Sequence, residues 1–128
     1  MSLTLTINSR YIGNLLSLQR IAREQDGVSF TLDELMGDLI LFSKIESENA
    51  ENLFNWFLQT FRKSEEILNN TVTFNLAGEA DLILNQSYKT INHCLNYNYF
   101  YCECKKDAII TYLLTMPVII KYESRNQF

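Results

Sequence analysis

Ser2-Leu-Thr-Leu-Thr-Ile7 puts an aliphatic side chain at every second position, with serine or threonine between. Successive side chains of a strand point to opposite faces, so this stretch has one apolar and one polar face and reads as a half-buried strand. The same period returns at Thr71-Val-Thr-Phe-Asn-Leu76, with Val72, Phe74 and Leu76 on one side. Two strands far apart in the chain, with helical spacing between them, point to an α+β fold.

The intervening apolar residues recur at steps of three and four. From Arg10 they are Tyr11, Ile12, Leu15, Leu16, Leu18, Ile21 and Ala22, preceded by Asn8 and Ser9 as capping types and followed by Gly27 as a stop. Val28 to Thr31 is expected as a short strand. Thr31-Leu-Asp-Glu34 is a capping box, in which each side chain can serve the other's backbone amide. The helix it opens runs through Leu32, Leu35, Met36, Leu39 and Ile40 to about Lys44. Gly37 inside it costs about 1 kcal/mol against alanine, and a close packing contact is one reason to keep it. Ser47 opens a third helix with the stripe Ala50, Leu53, Phe54, Phe57, Phe61 and Leu68. Trp56 and Leu58 widen that stripe, which predicts the central helix of the fold.

Beyond the second strand, Leu84, Tyr88, Ile91 and Leu95 predict a helix over residues 80–96, although Asp81-Leu-Ile-Leu84 also suits a hairpin. Tyr99 to Lys105 alternates Phe100, Cys102 and Cys104 against Tyr101, Glu103 and Lys105, which predicts a strand. Asp107 is expected to cap a short helix that Pro117 stops, Val118 to Glu123 to form a last strand, and residues 124–128 to fray. The expected architecture is a single domain, residues 1–128, with a small, mostly antiparallel sheet against about five helices. A mainly helical bundle is the alternative.

The chain has 128 residues, 47% hydrophobic and 20% charged, with 4 Gly and 1 Pro. This is one globular domain, neither disordered nor collagenous. The net charge of −4 is unevenly spread. Residues 24–51 hold eight acids and one base, Lys44, for −7, and the rest of the chain sums to +3. An acidic chain is not drawn to phosphate backbones or anionic membranes. The start of the chain shows no basic and apolar leader pattern, and the run Ala108 to Ile120 is shorter than a membrane span. The expected location is the cytoplasm. Three cysteines, an odd and clustered number, fit reduced, buried thiols there.

Candidate chemistry is sparse. His93, Cys94, Cys102 and Cys104 have the residue types of a zinc site but not the knuckle spacing. His93 is the single histidine, so any nucleophilic dyad must use it, and Cys94 beside it cannot comfortably reach its ring. Glu34 and Asp38 form an i,i+4 carboxylate pair, but acids at a helix start also complement its dipole. No glycine-rich phosphate loop is present. We therefore expect no catalytic residue, no metal and no cofactor.

Two features suit a protein partner. Asp38, Glu46, Glu48 and Glu51 are acids with no evident structural duty, placed to meet a basic surface. Tyr97, Tyr99 and Tyr101 are favoured interface residues, although strand alternation over Tyr97, Tyr99, Phe100 and Tyr101 would bury half of these rings. The expected function is a non-enzymatic inhibitor of a basic, nucleic-acid-processing protein, of the immunity-protein or phage counter-defence kind. The heavy use of Asn, Ile, Tyr, Phe and Lys suggests an AT-rich mobile element as the source. The alternative is a small regulator that touches nucleic acid through the part of the chain summing to +3, with Tyr97 to Tyr101 as a stacking platform.

Overall fold

A computed structural model of the chain describes residues 2–61 and 70–115. The order is β1 (Ser2–Ile7), α1 (Ser9–Asp26), α2 (Leu32–Ser43), α3 (Ala50–Trp56) continued by a π-helical turn (Phe57–Phe61), β2 (Asn70–Asn75), α4 (Gly78–Tyr97) and α5 (Lys106–Leu113). The fold is α+β, with five helices and a two-stranded antiparallel sheet among the described residues. The last expected strand and the polar tail lie outside these residues.

β1 and β2 pair with Leu3 opposite Phe74, Thr4 opposite Thr73 and Leu5 opposite Val72. Leu5, Ile7 and Phe74 are buried and face the core. The Thr4 and Thr73 hydroxyl oxygens are 3.0 Å apart on the outer face. Such close side chains mark a pair that exchanges no ladder bonds, so the Thr4 and Thr6 amides turn away from β2. Accordingly, the Thr6 amide donates to Asp107 Oδ2 at 2.7 Å, and Asn75 on the far edge donates to Asp33 Oδ1 at 3.1 Å. Both aspartates lie in the first turn of a helix, α5 and α2 respectively. Each outer edge of the ladder is thus tied to a helix N-terminus by a carboxylate.

The local signals place the early helices well. Asn8 caps α1 by accepting from the Arg10 amide, and Gly27 ends it in the left-handed region at φ 66°. Thr31 and Glu34 form both bonds of the capping box. The Gly37 position is roomier than expected: a Cβ there would meet the Ala80 Cβ at 3.9 Å, an ordinary contact.

Five expectations are corrected. Residues 28–31 form no strand; the Gln19 side chain holds the Phe30 carbonyl instead. The third helix starts at Ala50, not Ser47, because residues 44–49 form a turn. There the Asn49 side chain donates back to the Ser43 carbonyl and does not cap α3. α3 is not the central helix: Leu53 and Phe57 are buried, but Phe54, Trp56 and Phe61 are only partly so. The most enclosed helix is α5, where Ala108, Ile109, Ile110, Thr111 and Leu113 are all buried. A helix apolar nearly all round must be surrounded, and this one packs on β1, α2, α3 and α4. Asp107 does not cap α5, since its carboxylate is turned to Thr6. Residues 99–105 form no strand, for the reason given below.

The π-helical turn places Trp56 and Phe61 with ring centroids 5.5 Å apart, and Trp56 meets Tyr112 of α5 at 5.4 Å. This aromatic cluster joins α3 to α5.

Asp107→Ala leaves the Thr6 amide, a part-buried donor, without its carboxylate. It is expected to cost about 1–3 kcal/mol, read by urea denaturation. A loss under about 0.5 kcal/mol would show that water replaces the carboxylate freely.

Candidate functional site

α4 ends in a tight cap. The Tyr99 amide donates to the Asn96 carbonyl at 3.1 Å and the Phe100 amide to the Leu95 carbonyl at 2.9 Å. This is a Schellman arrangement, which needs a left-handed residue just past the helix, usually glycine. Here that residue is Tyr99, at φ 62°. A side chain in this region costs roughly 1–2 kcal/mol. Phe100, half-buried, packs on the core from the following position.

Beyond the cap the chain runs back along α4 in extended form. Its alternation is real: Cys104 is buried, Cys102 half-buried, and Tyr101, Glu103 and Lys105 exposed. Among the described residues, no strand neighbours the backbone groups of Cys104. They bond instead to one side chain of α4: the Cys104 amide donates to Asn92 Oδ1 at 2.9 Å, and Asn92 Nδ2 donates to the Cys104 carbonyl at 3.0 Å. An asparagine amide thus does the work of a ladder partner. Glu103 is tied to α4 as well, accepting from the Tyr88 hydroxyl.

Tyr99 and Tyr101 fall on the outward side of this alternation, opposite Phe100, Cys102 and Cys104. Tyr97 is 78% exposed, Tyr99 80% and Tyr101 97%. All three rings stand out from one helix end, within five residues, on a backbone fixed by the cap and by Asn92. An exposed cluster of large amphipathic rings on a rigid support is the composition of an interface anchor.

The four candidate acids fare differently. Asp38 is half-buried on α2, and its carboxyl is raised above the usual range by burial and by Glu34 one turn away. Glu48 is exposed and pairs with Lys44 at 3.1 Å. Glu51 lies in the first turn of α3, where it complements the helix dipole, a duty hidden by placing the helix start at Ser47. Glu46 is exposed and makes no hydrogen bond or ion pair among the described residues.

His93 is exposed and Cys94 half-buried on the same helix. Burial pushes the Cys104 thiol up to about 12, so it stays protonated and unreactive. Among the described residues, no three His, Cys, Asp or Glu side chains gather as metal ligands, and no helix is long and apolar enough to cross a membrane. No protein-family model, no curated protein and no solved structure matches the chain.

Two predictions follow from this geometry. Tyr99→Gly relieves the left-handed side chain and is expected to stabilise the fold by up to about 1 kcal/mol, after the entropy glycine loses on folding. A lower melting temperature would mean that the ring makes contacts worth more than the strain. For Asp38, a folded pKa above its ordinary 3.8 means that the folded state holds the proton more tightly. Its stability contribution is therefore present at low pH and lost as pH rises through the folded value. Asp38→Asn should raise the melting temperature at pH 7, since it removes a carboxylate whose charged form burial and Glu34 disfavour. It should give no gain below about pH 4, and a gain that persists unchanged at low pH would locate the benefit elsewhere.

Proposed function

We propose that this chain is a non-enzymatic protein-binding module whose main contact is the tyrosine cluster Tyr97, Tyr99 and Tyr101. The observation that carries this reading is the near-complete exposure of three rings, one of them held in a backbone region that costs stability. Local strain kept beside an exposed aromatic surface is what a binding surface retains and a purely structural loop does not need. Tyrosine supplies large contact area at low conformational cost, since its ring has few rotatable bonds.

The acidic segment suits a basic partner, such as a protein that itself binds nucleic acid. Its −7 charge adds long-range attraction that speeds encounter and fades with salt. Inhibition by occupying such a protein's phosphate-binding surface, as immunity proteins and phage counter-defence proteins do, is the form of this function we favour. Within the segment Glu46 and Glu48 serve attraction best, because Asp38 is half-buried and Glu51 lies in the first turn of α3.

The test is parallel capture from the native host with the wild-type chain and with Tyr97→Ser, Tyr99→Ser, Tyr101→Ser combined. A partner held by the first and lost by the second supports the reading, with an expected affinity loss of at least about a hundredfold, since anchor residues are commonly worth 2 kcal/mol or more each. With that partner purified, Glu46→Lys with Glu48→Lys should slow association and flatten its salt dependence. Identical capture by both baits would overturn the tyrosine surface, and unchanged on-rates would remove the acidic contribution.

A further inference from the structure

The outer edge of β1 has a separate character. Ser2, Thr4 and Thr6 present their amides and carbonyls away from β2, as the Thr4–Thr73 contact and the Thr6–Asp107 bond both require. Asp107 takes the Thr6 amide, and among the described residues nothing takes the Thr4 amide. That amide opens on a groove with Leu3, Thr4 and Leu5 along one side. The opposite wall is Tyr88 and the returning segment from Glu103 to Asp107. Its charges are mostly committed: Glu103 to the Tyr88 hydroxyl, Lys106 to Asn85 Oδ1 and Asp107 to Thr6. The Lys105 side chain alone of the four has no hydrogen bond or ion pair among the described residues, and the residue is exposed.

We propose that this groove receives an extended segment of another protein, added as a third strand along Ser2–Leu5, with an acidic side chain of that segment set against Lys105. The backbone chemistry selects the occupant. Donors and acceptors repeating every second residue along a straight edge are matched by another extended backbone and by little else. The uncommitted lysine sets the charge. This inference concerns a different surface from the tyrosine cluster and stands or falls independently of it.

The test uses the isotope-labelled full chain and three blocked eight-residue peptides. The first alternates threonine and valine around one central glutamate, the second is the same peptide with alternate backbone nitrogens methylated, and the third has lysine for the glutamate. Hydrogen exchange of the Thr4 amide is followed by NMR. The expected result is fast exchange in the free chain and at least tenfold slowing with the first peptide, with shift changes confined to residues 2–5, 88 and 103–107. Binding should weaken at least tenfold with the methylated peptide and severalfold with the lysine peptide. Thr4→Pro removes the outward amide together with the Thr4 hydroxyl, and it should abolish the peptide-induced shift changes at residues 88 and 103–107 while Leu3 and Leu5 remain paired with β2. Should that variant fail to fold, the methylated peptide makes the same comparison from the ligand side. A Thr4 amide already protected in the free chain would mean that the edge is covered by the chain itself or by a second copy, and it would overturn the proposal. So would equal binding of the first two peptides, or no change at Thr4 with millimolar peptide.

Discussion

Two carboxylate bonds organise this fold, Asp107 to the Thr6 amide and Asp33 to the Asn75 amide. A two-stranded ladder is marginal alone, because it buries one face weakly and leaves both edges open. Here each edge is bonded to the first turn of a helix, so the ladder is tied to α5 on the β1 side and to α2 on the β2 side. An aspartate at a helix start also meets the positive end of the helix dipole. The same carboxylate therefore bonds a strand amide while its charge complements a helix dipole, and it links residues about 100 positions apart in the case of β1 and α5. The apolar residues then complete one core, with Leu5, Ile7 and Phe74 of the sheet in the same cluster as Met36, Ile40, Leu84 and Ile109 of the helices.

Asn92 plays a comparable part on α4. By bonding both backbone groups of Cys104 it holds an extended segment against a helix without any sheet. This lets the chain leave α4, expose three tyrosines at the cap and return to start α5. The cap is built on Tyr99 where glycine is usual, so the surface is kept at a cost to stability. The tyrosine surface and the β1 groove share this returning segment, which supplies Tyr101 to one and Lys105 to the other.

The contrast between acids and tyrosines shows how a charged segment loses weight once its residues are placed. Net charge survives any arrangement of the chain, so long-range attraction is still available. Individual acids do not survive it equally: Asp38 is half-withdrawn from water, Glu48 meets Lys44 and Glu51 sits on a helix dipole. The tyrosines move the other way. All three rings stand in solvent, from the last turn of α4 through the cap to the returning segment.

The α+β class, β1, β2, the capping box at Thr31 and the stop at Gly27 were legible in the residues because each rests on short-range physics. Side-chain alternation, hydrogen bonds three residues apart and the freedom of glycine do not depend on distant parts of the chain. The tyrosines and acids could be nominated from composition, but their standing could not. Whether residues 99–105 become a strand depends on a partner strand, and none among the described residues pairs with them; Asn92 satisfies Cys104 from α4 instead. Which helix is central depends on what surrounds it, so α5 and not α3 took that place. The role of Asp107 was hidden for the same reason: capping its own helix and holding Thr6 are both open to an aspartate, and only the arrival of β1 beside α5 decides between them.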